Sequence, residues 1–356
     1  MEKTTKTRRY YAGANTKYGF YNLFNQINRS DKAGFLYILK GGPGTGKSTL
    51  MKKIGKTFEG KTDVEYFYCS SDHESLDGVR LPTLNVAVVD GTAPHICETV
   101  IPGAREKIVD LGAFIGDCVK KHEKEITELM KQKRLFFDTA YLYIKNASNL
   151  FECNNLIFTA FYKDAAIVAS KIARRILRDL GLNAANNGKN KRGAHGNVRR
   201  LFLSTIADGD FADFASQNNY NSIIELDYDP YLHGLVLKEI AEAAARRGFD
   251  VTCFCEILAP ESFNSVLITH TDTLIIRKAE FAARDEKHEG TIQYNNNAIK
   301  DAVFAADNAL NKAKEAHKKI EEFYILAMDF AGIEAVAPGI ISVLSAQCAT
   351  HNESRN

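Results

Sequence analysis

The chain has little net charge, no cysteine pattern and no long apolar run, and each lack closes off a class of protein. Lysine plus arginine number 46 against 44 aspartate plus glutamate, with a sequence pI near 8.0. So even a balance gives no global electrostatic reason to bind nucleic acid or an anionic membrane. The 7 cysteines are odd in number and scattered from Cys69 to Cys348 without CxxC spacing. They form neither a disulfide framework nor a zinc signature and read as reduced cytosolic thiols. Cys253 and Cys255 sit two apart on an expected strand, where packed thiols are a simpler reading than a ligand pair. The opening residues MEKTTKTRR hold no apolar core for a signal sequence, and no segment offers ~18 uncharged apolar residues for a membrane span. The expectation is a cytoplasmic protein with no membrane partner. Its 356 residues, 45% hydrophobic and 25% charged, suit about two ordinary domains.

What is present concentrates near residue 40. Residues 38–49 read Ile-Leu-Lys-Gly-Gly-Pro-Gly-Thr-Gly-Lys-Ser-Thr. Gly41 and Gly46 bracket four residues, and Lys47-Ser48 follows. Glycine is required where backbone must wrap a phosphate in crowded or left-handed conformations, so that successive N–H groups aim inward as an anion nest. An apolar run at 35–39 precedes the loop and helical spacing at 48–58 follows it, the strand, loop, helix order the chemistry needs. The helix adds its unpaired amides and positive dipole end. Gly41, Gly42, Pro43, Gly44, Thr45, Gly46, Lys47, Ser48 and Thr49 are therefore the expected nucleotide-binding residues, Lys47 reaching the β- and γ-phosphates and Ser48 a Mg²⁺ ion.

The run Ala87-Val88-Val89-Asp90 ends a third strand 43 positions after Lys47, which makes Asp90 the second expected Mg²⁺ residue. Gly91 follows it where many motor ATPases carry a glutamate that polarises the attacking water, so slow hydrolysis is expected. Asp72 and Glu74, after the second strand, are the first choices for orienting water or accepting a hydroxyl proton. Glu74 has a structural alternative, since its Glu-Ser pair recurs in the second half. Arg80 reads as an exposed loop arginine. The stretch Asn190-Lys191-Arg192-Gly193 lacks the aspartate of a guanine-specifying motif, and nothing supports GTP over ATP.

The second half repeats the first. Lys52, Ile54 and Cys69 match Lys238, Ile240 and Cys255 at an offset of 186 residues. Glu74-Ser75-Leu76-Asp77 matches Glu261-Ser262-Phe263-Asn264 at 187, and Arg8-Arg9-Tyr10-Tyr11 matches Arg199-Arg200-Leu201-Phe202 at 191. Across this alignment Gly41, Pro43, Gly46, Lys47 and Ser48 fall opposite Asp227, Asp229, Leu232, His233 and Gly234, and Asp90 falls opposite Arg277. The second loop has no nest, no phosphate-binding lysine and no metal-binding hydroxyl, and reads as a pseudo-domain. Asp227 and Asp229 are expected to be solvated loop carboxylates.

Nearly continuous apolar strands alternating with helices predict an α/β fold of two tandem P-loop NTPase-like repeats. Each has a parallel sheet with ligand at the carboxyl strand ends. Residues 1–182 form the active repeat, 183–198 a polar, basic linker and 199–356 the degenerate repeat. Segment 70–82 is expected as an acidic loop. Charged and then aromatic stretches at 104–180 and 298–330 predict one helical arm per repeat. Their charges are read as solvated faces and their aromatics as a packing seam, with a docking arm for an unidentified protein as the alternative. The linker lacks aromatics for base stacking, so nucleic acid is not supported as a partner.

With GGPGTGKSTLMKKI at 41–54, CSSD at 69–72 leading to SLDG at 75–78, and DGTAPH at 90–95, the chain resembles a bacterial family of two-repeat P-loop ATPases without an assigned substrate. The resemblance covers most of the chain, including the Pro102-Gly103-Ala104 step and the paired arms. It implies nucleotide-site roles for Asp90 and His95. Family members are similar to one another in carrying a phosphate loop in each half, and this chain departs by losing the second, which implies one ATP site. The leading expectation is a Mg²⁺-dependent ATPase of slow turnover. A small-molecule phosphotransferase and an ATP-controlled binding module are the alternatives. Arg199, Arg200 or Arg277 is a further candidate to reach the site in the manner of an arginine finger.

Overall fold

The computed structural model describes residues 5–28, 34–160, 164–182, 195–278 and 286–353. The expected linker lies outside these residues except for 195–198, and Asn190 to Gly193 lie outside them altogether.

The first repeat opens with strand β1 (Thr7–Tyr10) and the hairpin β2 (Gly13–Thr16) and β3 (Gly19–Asn22). Then come β4 (Phe35–Lys40), α1 (Lys47–Phe58), β5 (Val64–Cys69), β6 (Asp72–Leu81), β7 (Val86–Asp90) and β8 (Glu106–Asp110), followed by α2 (Glu123–Thr159) and α3 (Ala165–Asp179). The second repeat opens in the same way with β9 (Val198–Leu201) and the hairpin β10 (Ser204–Ala207) and β11 (Asp210–Asp213). It continues through β12 (Ser222–Leu226), α4 (Pro230–Arg246), β13 (Val251–Cys255), β14 (Phe263–Ile268) and β15 (Thr273–Arg277) to α5 (Glu286–Ala327), α6 (Phe330–Glu334) and α7 (Val336–Glu353).

The strand orders are β1-β5-β6-β7-β4-β8 and β12-β15-β14-β13-β9. Read from its other edge, the second sheet reproduces the first without the edge strand β8. The internal repeat seen in the sequence is thus a repeat of topology. Both sheets are mixed, which corrects the expectation of parallel ones. β6 runs antiparallel to β5 and β7, and β14 antiparallel to β13 and β15. Only two residues join β5 to β6, enough for a hairpin and far too few for a parallel crossover. Segment 70–82 is therefore mostly strand rather than an acidic loop, its polar start having hidden the buried Leu76, Val79 and Leu81. The 104–180 region also differs from its wholly helical reading, since it first lays β8 beside β4.

The helices are exchanged between repeats. α3 follows the first sheet in sequence but packs on α4 of the second, with Ala169, Ala173 and Leu177 against a core containing Val236, Leu237 and Ile240. α7 follows the second sheet but packs on α1 of the first, burying Ala337, Ile340, Leu344 and Cys348 with Leu50, Met51, Ile54 and Phe58. The arms α2 and α5 lie antiparallel to each other, as the contacts of Asn154 with Asn296 and of Lys133 with His317 require. Alanines at 140, 147, 302, 306 and 309 line the buried seam and allow close approach. This seam joins a third core shared by both repeats, in which Tyr11 and Phe202, equivalent residues, exchange backbone hydrogen bonds of 3.0 and 2.9 Å.

Among the described residues one helical stretch, 330–350, is long and apolar enough to cross a membrane by length and composition, with a mean hydropathy of 1.4. The stretch includes Glu334 and so is not the uncharged apolar run that the sequence was expected to lack. In the fold its Ala337, Ile340 and Leu344 face α1.

Candidate functional site

The carboxyl ends of β4, β7 and β8 converge on the loop that leads into α1. Gly44 and Gly46 adopt left-handed φ angles of +69° and +79°, which a side chain would strain, and Gly46 is the residue from which α1 springs. Thr45 is buried and donates its hydroxyl to the Gly42 carbonyl at 2.8 Å, closing the turn. Lys47 folds back across the loop, its ammonium 2.8 Å from both the Gly41 and Gly42 carbonyl oxygens and 3.6 Å from Asp90 Oδ2. Both side chains are largely buried, 11% and 14% exposed, so their attraction acts in a partly desolvated crevice.

Asp90 ends β7, and the backbone N–H and hydroxyl of Thr92 both donate to its Oδ1, which fixes the carboxylate and leaves Oδ2 toward Lys47. Ser48 Oγ accepts from the Leu76 N–H at 2.9 Å and keeps a further lone pair. Lys40, at the end of β4, anchors the 91–98 segment by donating to the Gly91 and Cys97 carbonyls at 2.9 Å each and to Glu98 at 2.7 Å. The glycine loop, Lys47 and Asp90 thus come together at the start of α1, with the Ser48 hydroxyl on its first turn, whereas Thr49 is exposed.

Asp72, at the start of β6, takes 2.6 Å and 2.8 Å contacts from the Ser75 hydroxyl and the Lys314 ammonium. Burial alone would raise its pKa, but these two partners outweigh that and hold it below the usual carboxylate value. Glu74 is exposed, and among the described residues no hydrogen bond ties its carboxylate to the loop. His95 is buried, stacked on Phe24 at 4.4 Å and edge-on to Phe20, with Nε2 3.5 Å from Asp77 Oδ2. Burial pushes His95 down to about 4, so it is a neutral imidazole. Asp77 is pushed well up, first by burial and then by the Asp90 carboxylate.

Three groups that sequence reasoning did not assign to the site come from α5, the arm of the other repeat. Lys314, His317 and Glu321 recur at i, i+3 and i+7 on one face, and Tyr324 continues it. A methyl group on Gly42 would stand 3.0 Å from the Tyr324 ring, and one on Gly44 would stand 3.0 Å from the Glu321 carbonyl, so this face lies directly on the glycine loop. Burial raises the Glu321 pKa, opposed by a hydrogen bond from the Gly44 backbone and by the Lys47 charge. His317 is lowered to about 4 by burial and by Lys133 and Lys47. The i, i+3, i+7 spacing was visible in the sequence, but not the packing of that face on a distant loop.

Of the candidate arginines, Arg199 and Arg200 are engaged elsewhere, and Arg277 ends β15 in the second repeat. Arg199 pairs with Glu65 at 2.9 Å near the start of β5, the opposite edge of the sheet from the loop, and donates to the Gln26 carbonyl. Arg80 lies in β6 rather than on a loop and pairs with the same Glu65 at 3.1 Å. Arg200 donates to the Pro260 carbonyl at 2.6 Å. A cavity of about 270 Å³ is lined by Arg8, Glu65, Arg80 and Arg199 between the two sheets, well away from Lys47.

At the equivalent place in the second repeat, Asp229 caps α4 by accepting from the Leu232 N–H at 2.9 Å, with Pro230 as the first helical residue. It is 2% exposed, a correction to the expectation of a solvated carboxylate, whereas Asp227 is exposed. His233 is buried with Nε2 3.0 Å from the Asn264 carbonyl, and burial pushes it down to about 4. A capped helix start has replaced the anion nest. No family model, curated protein or solved structure matches the chain.

Proposed function

We propose that the chain binds ATP with Mg²⁺ at a single P-loop NTPase-type site in the first repeat and hydrolyses it slowly. The observation that carries this reading is the crevice at the end of β4. There a left-handed glycine loop, a helix N-terminus, the Lys47 ammonium, the Ser48 hydroxyl and the Asp90 carboxylate converge. Loop N–H groups and the helix terminus favour a polyphosphate anion. Lys47, whose present acceptors are two carbonyls, gains a stronger acceptor in a phosphate oxygen.

The residues also fit a hard divalent cation, since Ser48 and Asp90 offer the oxygen donors that Mg²⁺ prefers and Ser48 keeps a lone pair for it. Once bound there, Mg²⁺ would neutralise charge on the phosphates. In hydrolysis the water oxygen bonds to the γ-phosphorus as the bond to the bridging oxygen breaks, ADP leaves with the electron pair, and Asp72 takes the water proton. Asp72 is the nearer candidate of the two acids because Glu74 stands in solvent. Gly91 in place of a carboxylate argues for slow turnover.

Phosphorus NMR of ATP and Mg²⁺ with wild type and with Lys47→Ala tests the reading. Inorganic phosphate appearing with wild type and not with Lys47→Ala is the expected result. ATP resonances perturbed by wild type but never converted would leave binding and remove hydrolysis. Resonances unaffected by wild type would end the assignment.

A further inference from the structure

The degenerate repeat has no nest of its own, yet its arm forms the second wall of the crevice in the first repeat. On the face of α5 that covers the glycine loop, the Glu321 main-chain carbonyl would stand 3.0 Å from a methyl group on Gly44, and the Tyr324 ring 3.0 Å from one on Gly42. His317 lies one turn away, its Nε2 3.7 Å from Glu321 Oε1 and its Nδ1 3.3 Å from the Lys133 ammonium on α2. Lys314 lies a further turn along, its ammonium 2.8 Å from Asp72 Oδ1. An arm that only packed would carry apolar residues on this face, as α5 does along its seam with α2. Here it sets Glu321 and Tyr324 against the glycine loop and the Lys314 ammonium on Asp72 instead.

We propose that Lys314 is a phosphate-contacting residue which the second repeat supplies to the nucleotide site of the first, so that the site senses the γ-phosphate through a cation from the other half of the chain. This rests on the nucleotide reading above. The Asp72 carboxylate holds the place at the Lys314 ammonium that a phosphate oxygen would take. The Lys314 and Asp72 side chains are 27% and 29% exposed, and an ion pair so open to solvent contributes little. Exchanging it for a contact to a multiply charged phosphate is therefore favourable. Release of Lys314 would at the same moment free the Asp72 carboxylate. The pseudo-domain, without chemistry of its own, then serves to hold α5 in place over the loop.

Calorimetric titration of the full chain with MgATP and with MgADP, comparing wild type, Lys314→Met, Lys314→Arg and Lys47→Ala, tests this. Loss of a charged hydrogen bond in Lys314→Met should lower ATP affinity about 10-fold or more. ADP affinity should stay within about twofold of wild type, and Lys314→Arg should restore most of the ATP affinity because it keeps the charge. An unchanged ratio of ATP to ADP affinity in Lys314→Met overturns the proposal, as does an equal loss for both nucleotides. Lys47→Ala should weaken both nucleotides. Wild type with no affinity for ATP removes the nucleotide reading and this proposal together, a result distinct from a failure at Lys314 alone.

Discussion

Glu65 sits between the guanidinium groups of Arg199, from the second repeat, and Arg80, from the first, and its side chain is 13% exposed. Burial alone would raise its pKa, but the two arginines overcome that and bring it down to about 2 from an ordinary 4.5. Glu65→Gln keeps the shape and removes the charge, leaving two guanidinium groups facing each other without a counter-ion. The shift corresponds to about 3 kcal/mol at neutral pH, in line with the ~3–5 kcal/mol typical of breaking a buried pair from one side. A folded pKa below the unfolded one means that the contribution is complete above 4.5 and lost as pH falls toward 2. Urea unfolding of wild type and Glu65→Gln across this range reads it. The difference in stability should be about 3 kcal/mol near neutrality and shrink to about 1 kcal/mol near pH 3. Taking the difference between the two proteins cancels the acid sensitivity contributed by other groups. A difference under about 1 kcal/mol at neutral pH, or one that stays constant as the pH falls, would refute the reasoning.

Two further predictions concern the helix exchange and the buried histidines. Leu344 on α7 is 1% exposed in the core it shares with α1. Leu344→Ala should therefore lower stability by about 2–4 kcal/mol despite lying almost 300 residues from α1 in sequence, measured by urea unfolding, and a loss below 1 kcal/mol would mean that α7 does not cover that face. His95 and His233 are both neutral in the fold, with pKa values pushed by burial to about 4 from 6.5. The unfolded chain binds protons first, so wild-type stability should fall as pH drops from 6.5 to 4, while both imidazoles keep neutral NMR shifts over that range. Stability that is level across that interval would contradict their burial.

The glycine loop was legible because it is a local device: Gly41 to Thr49 must follow one another for the backbone to form a nest, and Asp90 ends an apolar run whose meaning needs no distant partner. The repeat was legible as well, since matched residues at offsets of 186 to 191 keep the same strand order. Strand direction was not. Val79 and Leu81 are inward-facing residues of an antiparallel strand, but Asp72 to Ser75 and Gly78 interrupt the apolar pattern that would have marked it. The cap at Asp229 was equally hidden, because a carboxylate before Pro230 reads as a loop until α4 is seen to begin there.

By itself, then, the sequence determined the parts of this protein that depend on neighbours in the chain: an α/β alternation, a glycine loop running into a helix, a second loop without that chemistry, and two helical arms. Tertiary structure alone decided which surfaces those parts cover. α3 and α7 each pack on the helix of the opposite repeat because the apolar faces of α4 and α1 are buried by whichever helix the arms return to them. Glu321 and Tyr324 lie against the loop, and Lys314 reaches Asp72, because the antiparallel pairing of α2 and α5 turns that face toward them. Hydrophobic burial carries no sequence address, and so the partner of an apolar or charged helix face is settled only when the whole chain is packed.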